Sequence, residues 1–288
     1  MRVAAVDVGT NTVRLLIRDG DEAVDRDSRI TRLGQGVDAA GELGAEAMQR
    51  TLDVVRDFVE RARNAGAEHV RVAGTSALRD AANRAEFVDR VREACGVRIE
   101  VLEGAEEGRL AYLGATSWLD DGDFVVCDIG GGSTELIAAD DVVSADIGSV
   151  RVRERYLDGD PPTPGSVEYA RTAIPGILAG LDLPERFKLG RLVGVAGTIT
   201  TIAALDAGLR EYDHNVVHGY RLMRDGVVRW ADELNRLSAD EIRALGPVAP
   251  GRADVIGAGA LVLAAVVDVL RRPSLIVSER DILDGLAG

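Results

Sequence analysis

The chain is short of several things, and each shortage excludes something. Lysine is nearly missing: Lys188 is the only one, so almost all of the 34 Lys and Arg residues are arginines. Positive charge is outweighed, 48 acidic residues against 34 basic, for a net charge of −14. A nucleic-acid partner, which would need a broad basic face to neutralise phosphates, is therefore not expected. Aromatic residues make up 4% of the chain against a hydrophobic fraction of 46%, so the core must be built from Val, Leu, Ile and Ala. There are two cysteines, Cys95 and Cys127, far apart and in no Cys-x-x-Cys pair. No disulfide framework is expected, and a reducing cytoplasm is the expected location. Long apolar runs are lacking too. The longest, 255–267, lies between Asp254 and Asp268 and falls short of the roughly 20 residues a membrane span needs. It reads as a buried helix, and no membrane partner is expected. No signal peptide is expected either, because Arg2 leads at once into a strand reaching Asp7.

What is present centres on DIGGGSTELI at 128–137. Three consecutive glycines bring no side chains to a core and weaken any strand they occupy, but they allow a tight turn that a ligand can approach closely. Apolar runs at 124–127 and 136–139 read as strands on either side of it. Backbone amides with the hydroxyls of Ser133 and Thr134 suit phosphate oxygens, and the flanking carboxylates of Asp128 and Glu135 suit a hard divalent cation. An ordinary glycine-rich hairpin is the alternative. The N-terminus bears on that choice, because DVGTNTVRLLI at 7–17 follows the same plan. A shift of 128 − 7 = 121 positions places Asp7 on Asp128, Gly9 on Gly130, Thr12 on Ser133 and Leu15 on Leu136. A repeated supersecondary unit outweighs a single motif. It predicts two hairpin loops that grip a phosphate chain from both sides of a cleft.

The pattern along the chain is α/β. Strands are expected at 3–6, 13–17 and 22–30, a glycine-punctuated loop at 31–43, a helix at 45–65, a strand at 69–73, a helix at 84–94, a strand at 97–102 and a helix to about 118. A polar turn at 120–123 marks the expected boundary between residues 1–122 and 123–288. The second half repeats the order: strands at 124–128, 133–139 and 141–147, a helix at 149–157, a Pro-rich loop at 158–165 and a helix at 166–181. A strand at 191–195 then enters a helix, and helices follow near 224–235, 239–244 and 252–271, with a strand at 275–277 and a helix at 280–286.

In such sheets ligands bind beyond the carboxyl ends of the strands. Gly74-Thr-Ser-Ala-Leu-Arg79 follows a strand there, so Arg79 can meet phosphate, or Thr75 and Ser76 simply cap a helix below a solvated arginine. Gly197-Thr-Ile-Thr-Thr201 opens a helix and suits an anion. Glu106 and Glu107 begin a helix, where they favour the positive helix end or supply a general base that deprotonates water. Arg14 either neutralises phosphate or lies on the surface. His214 and His218 have the i, i+4 spacing of a metal pair, but Val216, Val217 and Gly219 make a helix there doubtful and no third ligand is evident.

Taken together, these residues resemble the exopolyphosphatase and guanosine pentaphosphate phosphatase family, within the actin-like, sugar-kinase and Hsp70 superfamily. The resemblance runs along nearly the whole chain: DVGTNTVRLLI at 7–17, AGTSALRDAAN at 73–83, LEGAEEGRLAYLG at 102–114, DIGGGSTELI at 128–137, GVAGTITTIAAL at 194–205, VHGYRL at 217–222 and VIGAGALVL at 255–263. It implies two duplicated actin-like (ribonuclease H-like) domains with the site in an interdomain cleft. It also implies that Glu106 activates the attacking water and that Asp128 and Glu135 position metal and phosphate. By the same resemblance Gly130, Gly131, Gly132, Ser133 and Thr134, with Asn11, Arg79, Gly197 and Thr198, contact phosphate. Thr10 and Arg14 of the first loop complete the expected phosphate set, and Asp7 joins Asp128 and Glu135 as an expected ligand of magnesium or manganese. The chain ends without the C-terminal helical domains of the long members and resembles the short ones. Processive grip on long chains, and any homodimer contact, therefore stay open.

The expected reaction is hydrolysis of a terminal phosphoanhydride, of inorganic polyphosphate or of pppGpp. Phosphoryl transfer needs chiefly positioning and electrostatic stabilisation, and two such loops with Arg79 provide both. A kinase or ATPase of the same superfamily would need an adenosine pocket that no residues here specify. A non-catalytic nucleotide sensor would have little use for Glu106, Asp128 and Glu135 together.

Overall fold

Aliphatic residues on both sides of a Gly-Thr-Asn turn make the first hairpin, β1 (Arg2–Val8) and β2 (Thr12–Asp19), antiparallel with Asp7 opposite Arg14 and Val8 opposite Val13. The structure is a computed structural model and describes residues 1–20, 22–139 and 141–288. Strand β3 (Glu22–Ile30) extends the hairpin into a meander. After α1 (Val37–Ala40) and α2 (Ala45–Asn64), β4 (His69–Gly74) lies parallel to β1. Then come α3 (Ser76–Asp80), α4 (Arg84–Cys95), β5 (Ile99–Val101) parallel to β4, and α5 (Gly104–Thr116). The sheet order is β3-β2-β1-β4-β5.

The second half repeats this plan. β6 (Phe124–Ile129), β7 (Thr134–Ala138) and β8 (Asp141–Ala145) form a meander, followed by α6 (Ser149–Tyr156) and α7 (Pro164–Ala179). β9 (Arg191–Val195) is parallel to β6 and enters α8 (Ala196–Asp206) directly. The chain continues through α9 (His214–Val217), β10 (Arg221–Met223), α10 (Arg224–Leu234), α11 (Ala239–Arg243), α12 (Ile256–Val269), β11 (Ser274–Val277) and α13 (Ile282–Leu286). The sheet order is β10-β11-β9-β6-β7-β8. Read from β8 to β11 it matches the first sheet strand for strand, with β10 added antiparallel at the edge. These are two duplicated ribonuclease H-like folds of the actin-like type. A further equivalence marks the repeat: the Leu102 N–H donates to the Gly74 carbonyl and the Ser278 N–H to the Gly194 carbonyl, each at 2.9 Å.

By contacts the chain forms two units, Met1–Gly114 with Ile282–Gly288, and Ala115–Asp281. In the first, alternate residues of β1 and β2 (Ala4, Val6, Leu15, Ile17) pack with Leu52, Val55, Phe58 and Val59 of α2. Ala5 and Leu16, also buried, have the opposite parity, and α13 packs on the same two strands. In the second, the apolar run at 255–267 falls largely within α12, whose side chains are almost all buried. Among the described residues no helix is long and apolar enough to cross a membrane.

Strand β10 was not expected, because three residues with one buried side chain, Leu222, carry too little alternation to read. Helix α9 forms despite Val216 and Val217. It is a single turn that ends before His218, whose backbone is extended, so the two histidines do not share a helix face.

The last helix contributes three buried aliphatic side chains, Ile282, Leu283 and Leu286, to the first unit. Burial of each stabilises by about 1.5–3 kcal/mol. A chain shortened to end at Asp281 is expected to lose several kcal/mol in urea denaturation, with hydrogen exchange accelerated first in the segment Met1–Gly114. Unchanged protection in that segment would contradict the packing described.

Candidate functional site

The glycine turn of the second unit is built from its carbonyl side. Within the hairpin the Gly130 N–H donates to the Ser133 carbonyl at 3.0 Å. The first amides of α6 then take two of the turn carbonyls: Ser149 N–H donates to Gly130 O at 2.9 Å, Val150 N–H to Gly131 O at 2.9 Å and Arg151 N–H to Gly131 O at 3.1 Å. Gly148 makes this approach possible, since a Cβ there would lie 2.6 Å from the Gly132 nitrogen. Among the described residues, the amides of Gly131 and Gly132 donate to no carbonyl. Carbonyls tied back with amides left over is the arrangement that receives an anion. Ser133 is buried beside them. Thr134 is different: its hydroxyl donates to the Ile147 carbonyl and is fully buried, so it braces the hairpin and is not presented to a phosphate.

The first hairpin repeats the device. Gly9 N–H donates to the Thr12 carbonyl at 3.0 Å, Thr31 and Arg32 N–H both donate to Asn11 O at 3.0 Å, and Gly34 N–H donates to Thr10 O at 2.8 Å. Gly34 is obligatory, because a Cβ would collide with the Thr10 side chain and sit 3.1 Å from the Ala77 methyl.

The carboxylates separate the two repeats. Asp128 and Glu135 face each other across the β6–β7 ladder, where like charges directly opposite are destabilising. Glu135 is 3% exposed, with the Ser144 hydroxyl donating to it at 2.9 Å. Burial pushes the neighbouring Cys127 thiol well above its ordinary pKa, and both carboxylates push the same way. In the first hairpin the same two positions hold Asp7 and Arg14, joined through Nε at 3.0 Å and Nη2 at 2.7 Å. Asp7 therefore has its counter-charge beside it, and Arg14 serves that carboxylate. Asp128 and Glu135, paired hard oxygen donors with no arginine opposite, fit a divalent cation that completes its shell with water and phosphate. No cluster of three or more His, Cys, Asp or Glu side chains able to hold a metal occurs among the described residues. Asp7 is the ion-pair partner of Arg14.

Helix α5 discriminates its two glutamates by one step of about 100° around the axis. Glu107 is 13% exposed and receives Arg79 Nη1 at 2.6 Å, while the same nitrogen donates to the Leu102 carbonyl at 3.0 Å. Glu106 is 48% exposed and lies 3.9 Å from Arg71, which is itself paired with Glu100 at 2.9 Å. Of the two, Glu107 and not Glu106 is placed with the phosphate-class arginine. Spacing alone could not tell which of the two neighbours is the more buried.

At the β9–α8 junction Ala196 has φ 66°, the left-handed region, rare for a residue with a Cβ. Gly197 follows because the Arg252 guanidinium lies over it, with Nε 3.0 Å from where a Cβ would be. Arg252 Nη1 also donates to Thr201 Oγ1 at 2.9 Å. Thr198 is buried against Gly259 of α12. This arginine thus lies at the positive end of α8, a helix with no acidic residue in its first turn. The sequence reading missed Arg252, which precedes an apolar helix in no recognisable pattern.

A family model described as the Ppx/GppA phosphatase family matches residues 17–287. The chain is 41% identical to exopolyphosphatase 2 of Mycobacterium tuberculosis over 99% of its own length and 97% of that protein's. Among solved structures it is similar to an exopolyphosphatase-like protein with a TM-score of 0.93 and 37% identity, covering 99% of this chain and 97% of that one. It is also similar to the Ppx/GppA family member of Aquifex aeolicus, with a TM-score of 0.82 and 32% identity, covering 99% and 96%.

Gly148 tests the geometry of the turn. Gly148→Ala is expected to destabilise by about 1–3 kcal/mol, because overpacking displaces backbone that has no flexible side chain to yield. The measurement is the denaturation midpoint, and a midpoint equal to that of the unaltered chain would show that α6 does not clamp the turn this closely.

Proposed function

Because the chain belongs to the Ppx/GppA phosphatase family, we propose that it hydrolyses terminal phosphoanhydride bonds, releasing phosphate from inorganic polyphosphate. The observation that carries the reading is the Arg79–Glu107 pair, a partly buried carboxylate held against a phosphate-class cation. The activity named for the mycobacterial relative, which this chain matches end to end, supports it.

The residues divide the work as follows. In the second unit the amides of Gly131 and Gly132, with Ser133, receive phosphate oxygens, and Arg252 with the first amides of α8 adds positive charge. Arg79 draws the substrate's negative charge, which loosens its hold on Glu107. Glu107 then orients a water molecule and accepts its proton as the water attacks phosphorus in line and the shortened chain departs. Asp128 and Glu135 would hold magnesium or manganese. When bound, the ion neutralises charge on the phosphate oxygens. Two buried free cysteines favour a reducing compartment, consistent with a cytoplasmic enzyme.

A second reading is pppGpp as substrate. It is favoured by 34% identity to the guanosine-5'-triphosphate,3'-diphosphate pyrophosphatase of Photobacterium profundum, over 69% of this chain and 42% of that protein. Both substrates end in a phosphoanhydride, so the same groups serve either.

Phosphate release from polyphosphate, pppGpp and ATP separates these readings. Glu107→Gln is expected to lower kcat by about 10²-fold or more, the usual contribution of a positioned general base. Glu106→Gln is expected to retain activity within a small factor. Full activity of Glu107→Gln would remove it as the base, and binding of guanosine nucleotides with no turnover of any substrate would make the protein a sensor. Asp128→Asn and Glu135→Gln should each raise the magnesium concentration needed for half-maximal rate by about tenfold or more, as loss of one charged ligand does. An unchanged requirement would place the ion elsewhere.

A further inference from the structure

The face of the second sheet that carries Asp128 and Glu135 has a third polar member. Residues directly opposite each other on antiparallel strands point to the same side. Asp128 on β6 stands opposite Glu135 on β7, and Glu135 in turn stands opposite Ser144 on β8. The three form one row across three strands, two carboxylates and then a hydroxyl. Ser144 Oγ donates to Glu135 Oε1 at 2.9 Å. Glu135 is buried, whereas Ser144 is exposed on the edge strand of its sheet. A hydroxyl with water within reach is therefore turned onto a buried carboxylate.

The equivalent row of the first sheet is Asp7, Arg14 and Ser28. There the central residue is itself a donor and gives its hydrogen bonds to Asp7, so Ser28 stands opposite a cation. The second sheet alone places a hydroxyl behind a carboxylate that faces another carboxylate. The strand that carries this hydroxyl is anchored beyond it. Three residues after Ser144 the Ile147 carbonyl accepts from the Thr134 hydroxyl, and the amides of Ser149 and Val150 hold the glycine turn. Ser144 thus reaches Glu135 from a fixed strand, and a hydrogen bond to an ionised acceptor restrains a long side chain that would otherwise sample several rotamers.

We propose that Ser144 is a positioning residue for the cation site: by donating to Glu135 Oε1 it sets that carboxylate in the orientation in which, with Asp128, it takes a divalent ion. This rests on the phosphoanhydride reading above and on its assignment of the ion to Asp128 and Glu135. Ser144 itself touches neither ion nor substrate. Groups that orient a metal ligand in this way commonly carry about 10–100-fold in metal affinity.

The test uses the whole chain without substrate and measures bound manganese through the electron paramagnetic resonance signal of the free ion. The site followed is the one that Asp128→Asn weakens. Ser144→Ala is expected to weaken the same site by about tenfold or more, while the thermal midpoint of the metal-free chain holds, because the group removed is small and exposed. Ser144→Thr, which keeps the hydroxyl, should restore most of the affinity. Ser28→Ala, the change at the equivalent place in the first sheet, should leave it unaltered. In polyphosphate hydrolysis Ser144→Ala should raise the metal concentration needed for half-maximal rate and keep kcat at saturating metal within a small factor. The proposal is overturned if Ser144→Ala binds manganese as the unaltered chain does, if Ser28→Ala weakens the ion as much, or if Asp128→Asn weakens no site at all. It is equally overturned if affinity and metal-free midpoint fall together and Ser144→Thr restores neither, which would mark a structural role. Phosphate release from polyphosphate with unchanged manganese affinity in Ser144→Ala would remove Ser144 and leave the hydrolase reading standing. Weakened manganese binding in a protein that releases phosphate from no substrate would do the reverse.

Discussion

Each hairpin turn in this protein has two of its backbone carbonyls satisfied by the segment behind it, and the chemistry of each unit depends on that constraint. A buried carbonyl without a donor is costly. Here Thr31, Arg32 and Gly34 supply donors to Thr10 and Asn11, and Ser149, Val150 and Arg151 supply them to Gly130 and Gly131. With one edge of each turn occupied, the peptide planes are fixed and the opposite N–H edge is oriented before any ligand arrives. A turn organised in this way loses little freedom on binding, which is the form of preorganisation that electrostatic catalysis requires. Gly34 and Gly148 are small because the satisfying segment must approach to contact distance.

Duplication built two copies of this turn and then let their charges diverge. Opposite Asp7 stands Arg14; opposite Asp128 stands Glu135. In the first hairpin the carboxylate is neutralised from within the ladder. The second concentrates negative charge on one face of its ladder, a condition that a cation relieves. A single position thus distinguishes a carboxylate facing an arginine from one facing a second carboxylate.

Much of this was legible from residue order. The 121-residue shift between DVGTNT and DIGGGS is reproduced in the strand register itself, where Asp7 faces Arg14 and Asp128 faces Glu135. Turn chemistry and strand alternation are local and therefore readable. What escaped depends on distant contacts. Glu106 and Glu107 are adjacent and alike, and only Arg79, 28 residues away, tells them apart. Arg252 lies against Gly197 and Thr201, about fifty positions earlier. Thr134 carried the expected hydroxyl, but the Ile147 carbonyl claims it. Strand β10 exists because β11 offers an edge to pair with, and nothing within Arg221–Met223 announces it.

The return of α13 to the first unit has a consequence for biosynthesis. The strands β1 and β2 leave the ribosome well before Ile282, Leu283 and Leu286, which cover one of their faces. Domains commonly fold in the order they are made. Here the second unit, continuous from Ala115 to Asp281, can complete its core while the earlier one still waits for its closing helix. During that interval Ala5 and Leu16 lack their cover, so the nascent chain offers β1 and β2 to chaperones and to aggregation long after they have been made.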